Sequence, residues 1–372
     1  MSDSEIQSKT VVVVGAGGNI GSHLVPHLGR MPSIGRVRLI DKDTYEARNL
    51  QTQNVTPKDV GKPKAKMQAA VLHGINPALH VEALTDAVER IPLGKLRGDV
   101  ILSCLDSRIA RQHVNQFAWR LGVPLVDAGV EAAGLLARVN VYVPGRDNPC
   151  LECAWDDRDY DALEQTYPCG GGVSAVAPTN SPSSLGGLAA ALQAIECEKL
   201  LSGDENRAAV NRQVLVDGLH HKHYVTAYRR NPRCRFSDHL TWKIHRLRRS
   251  PHGLSLEEAL QLGSSPASND AVTAFRVEGK PFVKRLVCSA CGHARAVLRL
   301  QCSLRVSQTM CRICGNQMVA AGFDLTERLE AASVGRDALK HTVGRLGLRP
   351  GEIFSVSHGT LESHYELVGE DG

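Results

Sequence analysis

The chain has 372 residues, 42% of them hydrophobic, and its 44 lysines and arginines against 39 aspartates and glutamates leave a formal charge of only +5. That length supports one large domain with a smaller second unit, and the modest charge argues against a dedicated nucleic-acid binder. No basic N-terminus leads into an apolar run, and Val11 to Val14 is interrupted by glycines, so neither a signal peptide nor a membrane span is expected and the setting reads as cytoplasmic. Arg229, Arg230, Arg233 and Arg235, followed by Arg246, Arg248 and Arg249, read as a solvated face, with a phosphate or acidic partner as the alternative.

In chain order, Lys9 to Val14 is a β-branched run that predicts a buried parallel strand, and Gly15-Ala16-Gly17-Gly18-Asn19-Ile20-Gly21 follows at once. A helix is expected to begin near Ser22, with Pro26 in its first turn. Strand, glycine turn and helix together bring backbone N–H groups against phosphate, with Gly15, Gly17, Gly18 and Gly21 keeping the approach clear. Val37 to Ile40 predicts a second strand ending at Asp41, roughly 20 residues past the last glycine, as expected for a ribose-binding acid, and Asp43 stands two positions on. This favours a nucleotide without choosing between NAD and ATP. A purely structural turn is the alternative.

Asn49 and Gln51 then precede Gly61-Lys62-Pro63-Lys64, and Lys64 leads into a run of helix formers to Leu72. A lysine at a helix start is disfavoured unless an anion shares the site, so Lys64 reads as a triphosphate contact or as a surface charge. Asp99 to Leu105 predicts a third core strand. Asp106 lies at its C-terminal end, where a carboxylate can hold Mg2+ against phosphate or cap a helix. Arg108, Arg111 and Asn115 follow. Pro124 to Gly129 and Val139 to Val143 continue the sheet, and glycine-rich and Pro178 to Ser184 segments make a crossing. An apolar helix over Leu185 to Ile195 and antiparallel strands near Val214 to Gly218 and Tyr224 to Tyr228 complete the domain. The fold class expected is α/β: a Rossmann-like nucleotide-binding sheet with antiparallel additions and a C-terminal zinc-ribbon appendage.

Eleven cysteines in such a chain point to metal or thiol chemistry ahead of disulfides. Cys288 and Cys291, then Cys311 and Cys314, form two Cys-x-x-Cys-Gly knuckles separated by nineteen residues, the pattern of a closed tetrahedral zinc site, with unliganded thiols or another soft metal as the alternative. Residues from about 270 to 325 therefore read as a zinc ribbon whose small core needs the metal. Cys104, Cys197 and Cys302 read as small core residues, and His220, His221 and His223 as turn or partner contacts. Thr326 to Ala332 is compatible with a helix within a small C-terminal extension.

At this point the chain resembles the adenylating family that includes the molybdopterin and thiamine sulfur-carrier activators and the adenylation domain of ubiquitin-like E1 enzymes. The resemblance spans about residues 9 to 240. Its motifs are Gly15 to Ser22, Asp41-Lys42-Asp43, Asn49-Leu50-Gln51-Thr52-Gln53, Val60 to Lys64, Ile75-Asn76-Pro77, Cys104-Leu105-Asp106-Ser107, Pro149 to Cys153, Gln193 to Glu196, and Asn231 to Cys234. It implies that the glycine turn and Asp41 position ATP, that Lys64 stands near its phosphates, that Asp106 organises Mg2+, and that Asn49 and Gln53 complete the pocket. The implied reaction joins AMP to the C-terminal glycine of a small β-grasp carrier, by an enzyme that resembles a homodimer. The family pattern has an arginine where this chain has Thr52, with Arg48 the nearby replacement, and an arginine-bearing helix before the first strand is missing.

The resemblance further implies a second zinc site at Cys150, Cys153 and Cys234. Ser237 stands at the expected fourth position, so His239 becomes the candidate, with Asp238 another, and a metal-free site is the alternative. Cys169, in Tyr167-Pro168-Cys169-Gly170-Gly171-Gly172, is the candidate to accept the activated carrier as a thioester, against an idle thiol. Residues 1–240 are thus read as the adenylation domain and 241–372 as the C-terminal extension with the ribbon. A downstream conjugating enzyme or sulfur donor is the further partner implied. A catalytically impaired ATP-binding scaffold and a nicotinamide-dependent oxidoreductase are the competing functions.

Overall fold

Four consecutive valines, Val11 to Val14, are almost wholly inaccessible to water, as a strand covered on both faces requires. The structure, a computed structural model, describes residues 8–165, 181–204, 206–236, 238–264, 272–320 and 322–369. Contacts divide the chain into two compact units, Met1–Ile91 with Leu96–Thr241, and Pro92–Lys95 with Trp242–Gly372. Among the described residues no helix is long and apolar enough to cross a membrane.

The first unit runs β1 (Lys9–Val14), α1 (Asn19–Leu28), β2 (Ile34–Ile40), α2 (Lys64–Ile75), β3 (His80–Leu84), β4 (Val100–Ser103), α3 (Arg108–Leu121), β5 (Leu125–Glu131), β6 (Leu136–Tyr142), α4 (Asp157–Gln165), α5 (Ser183–Leu201), β7 (Arg212–Asp217) and β8 (Lys222–Ala227). These strands form one sheet in the order β3-β2-β1-β4-β5-β6-β7-β8. Pairing is parallel from β3 to β5 and antiparallel from β5 to β8. The order reverses between β1 and β4, and the crevice outside the C-terminal ends of such strands is where open α/β sheets bind ligands. Helix α5 packs on α1 and crosses β4, β5 and β6. Its buried Gln193 donates to the carbonyls of Ser103 and Val126, fixing the ends of β4 and β5 together.

Two details differ from the expectation. Strand β3 carries half-buried positions and no alternation, so the apolar pattern did not reveal it. Pro26 lies deep in α1, two residues before its end at Leu28, where only one helical bond is lost.

The second unit contains β9 (Ile244–Leu247), α6 (Leu256–Gln261), β10 (Thr273–Val277), β11 (Phe282–Cys288), β12 (Ala294–Leu300), β13 (Met318–Val319), β14 (Leu325–Thr326), β15 (Arg328–Glu330), α7 (Arg336–Leu339), β16 (Ile353–His358) and β17 (Leu361–Leu367). A five-stranded sheet in the order β15-β10-β16-β17-β9 stands beside a smaller one, β12-β11-β13, with β14 also paired to β11. The larger sheet has its own core, with the Phe275 and Phe354 rings stacked 4.9 Å apart. The helix expected over Thr326 to Ala332 is instead strand β15 and a short turn. Leu329 is buried between exposed Arg328 and Glu330, the period-two pattern of a strand pairing with β10.

Candidate nucleotide and carrier site

The glycine turn is shaped by exclusion. Gly15 has φ +80°, and a Cβ there would fall 2.7 Å from the Cys104 carbonyl oxygen; at Gly17 it would collide with the Lys64 side chain and at Gly21 with the Gly15 carbonyl. The turn is closed by its own backbone. Gly15 and Ala16 donate to the Ile40 carbonyl, and Gly18 donates to that of Gly15. Gly17 N–H donates to Asp41 Oδ2 at 2.8 Å, while Asp43 N–H donates to Oδ1 at 3.0 Å. Burial raises the Asp41 pKa, opposed by those two donors and by Lys64. The N–H groups left for an anion are therefore not those of Gly15, Gly17 or Gly18. They belong to the first turn of α1, where Asn19 and Ile20 line a cavity of about 850 Å³.

That cavity brings together Gly15, Gly18, Asp41, Asp43, Arg48, Asn49, Gln53, Lys64 and Asp106. Gly17 and Gly21 shape the turn from behind it. Lys64 is the first residue of α2 and is buried; its Nζ lies 3.6 Å from Asp43 Oδ2 and 5.6 Å from the centre of the Tyr45 ring. Tyr45 is itself held by Gln68 Nε2 at 2.8 Å, and burial raises its phenol pKa above the ordinary value, so it stays neutral beside the lysine. Tyr45 and Gln68 were not singled out in the sequence, where they read as ordinary core and helix positions. Asn49 uses its side chain to cap the 3-10 turn Ala47–Gln51 on which Arg48 sits, and Arg48 is paired with Glu46 at 2.8 Å and largely exposed.

Among the described residues, three buried polar atoms of residues around this cavity lack a hydrogen-bond partner: Asn19 Oδ1, Gln53 Oε1 and Ser181 Oγ. Orphaned buried acceptors and donors are costly, about 1–3 kcal/mol each, unless something else satisfies them.

Asp106 follows β4 and is exposed at the mouth, with no hydrogen bond or ion pair among the described residues. It does not cap α3; Ser107 does, accepting from Ala110 N–H. Arg111 is buried and tied to Asp127 at 3.1 Å and to the carbonyls of Leu105 and Ala128. Asp127 also accepts from Ser103 Oγ at 2.8 Å. Beyond it, Asn140 Oδ1 accepts from Tyr228 Oη at 2.9 Å and from Gln213 Nε2 at 3.1 Å, and Tyr142 stacks on Tyr228 at 5.6 Å. This polar floor was missed. Its signal was present in β6, where Arg138, Asn140 and Tyr142 alternate with the buried Ala137, Val139 and Val141.

The cysteines form two quartets, one in each unit. Cys150, Cys153, Cys234 and His239 place one ligand atom each within 4.8 Å of the others. The Cys150 Sγ to Cys234 Sγ distance is 3.7 Å, Cys150 to Cys153 3.9 Å, and Cys153 Sγ to His239 Nε2 3.7 Å. A tetrahedral metal about 2.3 Å from each sulfur spaces its thiolates by roughly 3.8 Å, which these distances fit. His239 Nδ1 lies 3.0 Å from the Asn148 carbonyl, which can only accept, so the proton is on Nδ1 and Nε2 is free to ligate. Asp238, the other candidate, is paired with Arg120 at 2.9 Å. In the second unit, Cys288 and Cys314 lie 3.4 Å apart and Cys291 and Cys311 3.6 Å apart. Gly292 and Gly315 close both knuckles at φ +72° and +73°.

Cys104 and Cys197 are buried, and burial pushes the Cys197 thiol up to about 12, so both are inert core groups; Cys302 is half-buried. His220 bonds Asp217 within the turn between β7 and β8. Cys169 lies outside the described residues.

The chain matches the sequence pattern of the ThiF family over residues 2–236. It is 31% identical over 230 residues to the SAMP-activating enzyme E1 of Haloferax volcanii, covering 61% of this chain and 79% of that protein. It is 30% identical over 227 residues to the sulfur carrier protein ThiS adenylyltransferase of Escherichia coli, covering 60% and 84%. Among solved structures it is similar in fold to E. coli MccB with ATP, at TM-score 0.51 and 24% identity over 62% of this chain and 67% of the other. The match spans the eight-stranded sheet and the cavity at its switch point, and the chain belongs to the ThiF family.

Proposed function

We propose that this chain uses ATP to adenylate the C-terminal carboxylate of a ubiquitin-like or sulfur-carrier protein, releasing pyrophosphate. The observation that carries this reading is the convergence of Asp41, Lys64, Asp106 and the first turn of α1 on one cavity. A carboxylate oxygen of the carrier attacks the α-phosphorus, and the bond from that phosphorus to the pyrophosphate oxygen breaks. Asp41 accepts ribose hydroxyls through lone pairs its two backbone donors leave available. Lys64 and the α1 N–H groups bind phosphate oxygens. Asn49 and Gln53 complete the nucleotide pocket, and Arg48 adds charge from the rim. Asp106 would hold Mg2+, which neutralises phosphate charge when bound. The nicotinamide reading gives Lys64 and Asp106 no role and falls away with the family.

In this reading both quartets hold zinc, the first through three thiolates and His239, the second as a zinc ribbon. The reducing cytoplasm keeps those thiolates available. Residues 1–240 form the adenylation domain and 241–372 the extension. The enzyme works as a homodimer and has no nucleic-acid ligand. The Cys169 thiolate then attacks the carbonyl carbon of the acyl adenylate, breaking its bond to the phosphate oxygen and releasing AMP, and holds the carrier as a thioester before a conjugating enzyme or sulfur donor acts.

The scaffold alternative draws on Thr52, which lines the cavity where the family pattern has arginine. Acid quenching after incubation with ATP labelled at the α-phosphate and β-grasp proteins ending in glycine separates the two. Label on the carrier is expected. Bound ATP with no labelled carrier favours the scaffold.

A further inference from the structure

Arg138 is a cation of the cavity to which the reaction above gives no task. Alternation along β6 turns it, with Asn140 and Tyr142, away from the core and toward the cavity. Opposite it on β5 stands Gly129. The guanidinium lies across that bare backbone: a Cβ at Gly129 would sit 2.8 Å from Arg138 Nε and 3.2 Å from Nη2, and 3.2 Å from Arg111 Nη2. Two guanidinium groups thus crowd one point, an arrangement that repels unless anions share it.

Arg111 has its anion in Asp127. Lys64 is paired with Asp43, Arg48 with Glu46 and Arg108 with Asp159. Among the described residues no carboxylate pairs with Arg138. Lys42, which also lines the cavity without such a partner, stands beside Asp41 at the nucleotide end. Arg138 stands instead at the antiparallel end, level with Gly129 and two residues beyond the pairing of Asp127 with Asn140. The floor beside it is polar but uncharged, made by Asn140, Gln213 and Tyr228. The anion that enters from this side, in the adenylation reading on which the inference rests, is the carrier's own carboxylate.

We infer that Arg138 binds the C-terminal carboxylate of the incoming carrier and presents one of its oxygens to the α-phosphorus. The guanidinium donates N–H bonds and transfers no proton; the new bond is carboxylate oxygen to phosphorus, and the electron pair of the broken bond leaves with pyrophosphate. A planar fork suits a carboxylate better than an ammonium does.

The test measures carrier-dependent exchange of labelled pyrophosphate into ATP for the wild type, Arg138→Gln and Arg138→Lys, using a panel of glycine-terminated β-grasp proteins. Loss of a charge-assisted contact should raise the KM for the carrier about 10-fold to 100-fold in Arg138→Gln, with the KM for ATP unchanged and partial recovery in Arg138→Lys. Because Arg138 is exposed, the thermal midpoint should not move. Binding of acid-terminated and amide-terminated carrier tails, with a non-hydrolysable ATP analogue present, should differ in the wild type and be equal in Arg138→Gln. Retained discrimination, or a rise in the KM for ATP alone, overturns the assignment while leaving adenylation intact. Absence of exchange in the wild type with every carrier overturns both readings.

Discussion

The two halves of the eight-stranded sheet build their parts of the cavity from different materials. In the parallel half, the site is made of backbone and of side chains at strand ends: the glycine turn after β1, Asp41 after β2, Asp106 after β4. In the antiparallel half it is made of side chains within strands, at alternate positions of β6 with partners on β7 and β8. Strand β8 is exposed along its whole length, and the quartet of Cys150, Cys153, Cys234 and His239 joins the segments that follow β6 and β8. A site made of turns holds a ligand with fixed, compact phosphates. A site made of a strand face suits an extended polypeptide tail. In the proposed reading the nucleotide takes the first half and the carrier's tail the second.

The largest expected effect comes from the parallel half. Lys64→Ala removes a buried cation from the phosphate end and should lower kcat/KM for ATP by about 100-fold to 1000-fold in pyrophosphate exchange, with carrier binding little changed. An equal loss in carrier affinity would break the division between the halves. Gly17→Val should act in the same direction, because its side chain must displace Lys64 and Tyr45.

Next in size is the antiparallel half. Cys234→Ala should remove one metal per chain, lower the thermal midpoint by about 5–10 °C, and weaken the carrier more than ATP. Metal analysis with calorimetry checks it; unchanged metal content would remove this metal site from the account. Cys311→Ser is the control outside this sheet. It should lose a different metal equivalent and the hydrogen-exchange protection of the small sheet around Val283 and Met318, whose core has few buried residues, while the Cys234 quartet keeps its metal. Smallest is Arg48→Ala: an exposed ion pair is worth less than about 1 kcal/mol, so exchange should fall by less than about fivefold. A larger fall would move Arg48 to the phosphates.

The same contrast explains what was readable in the residues alone. Gly15 to Gly21, Asp41, Lys64 and Asp106 stand at fixed offsets from apolar runs, so their convergence follows from the order of strands. The ribbon cysteines announce themselves as two Cys-x-x-Cys-Gly repeats, each readable locally. Asn140, Gln213 and Tyr228 meet only through the antiparallel register of β6, β7 and β8, and Tyr45 reaches Lys64 through the turn between β2 and α2. His239 could be put forward ahead of Asp238, but what separates them, Arg120 engaging the aspartate and Asn148 orienting the imidazole, is visible only in the fold. Strand β15 was hidden because a three-residue alternation is also compatible with helix formers.

The most direct test of the central claim is pyrophosphate exchange by the wild-type, metal-replete protein with and without a glycine-terminated β-grasp carrier. The account predicts exchange that requires the carrier's free C-terminal carboxylate and disappears when that carboxylate is an amide. ATP binding with no exchange across the carrier panel, or exchange indifferent to the carrier's terminus, would contradict it.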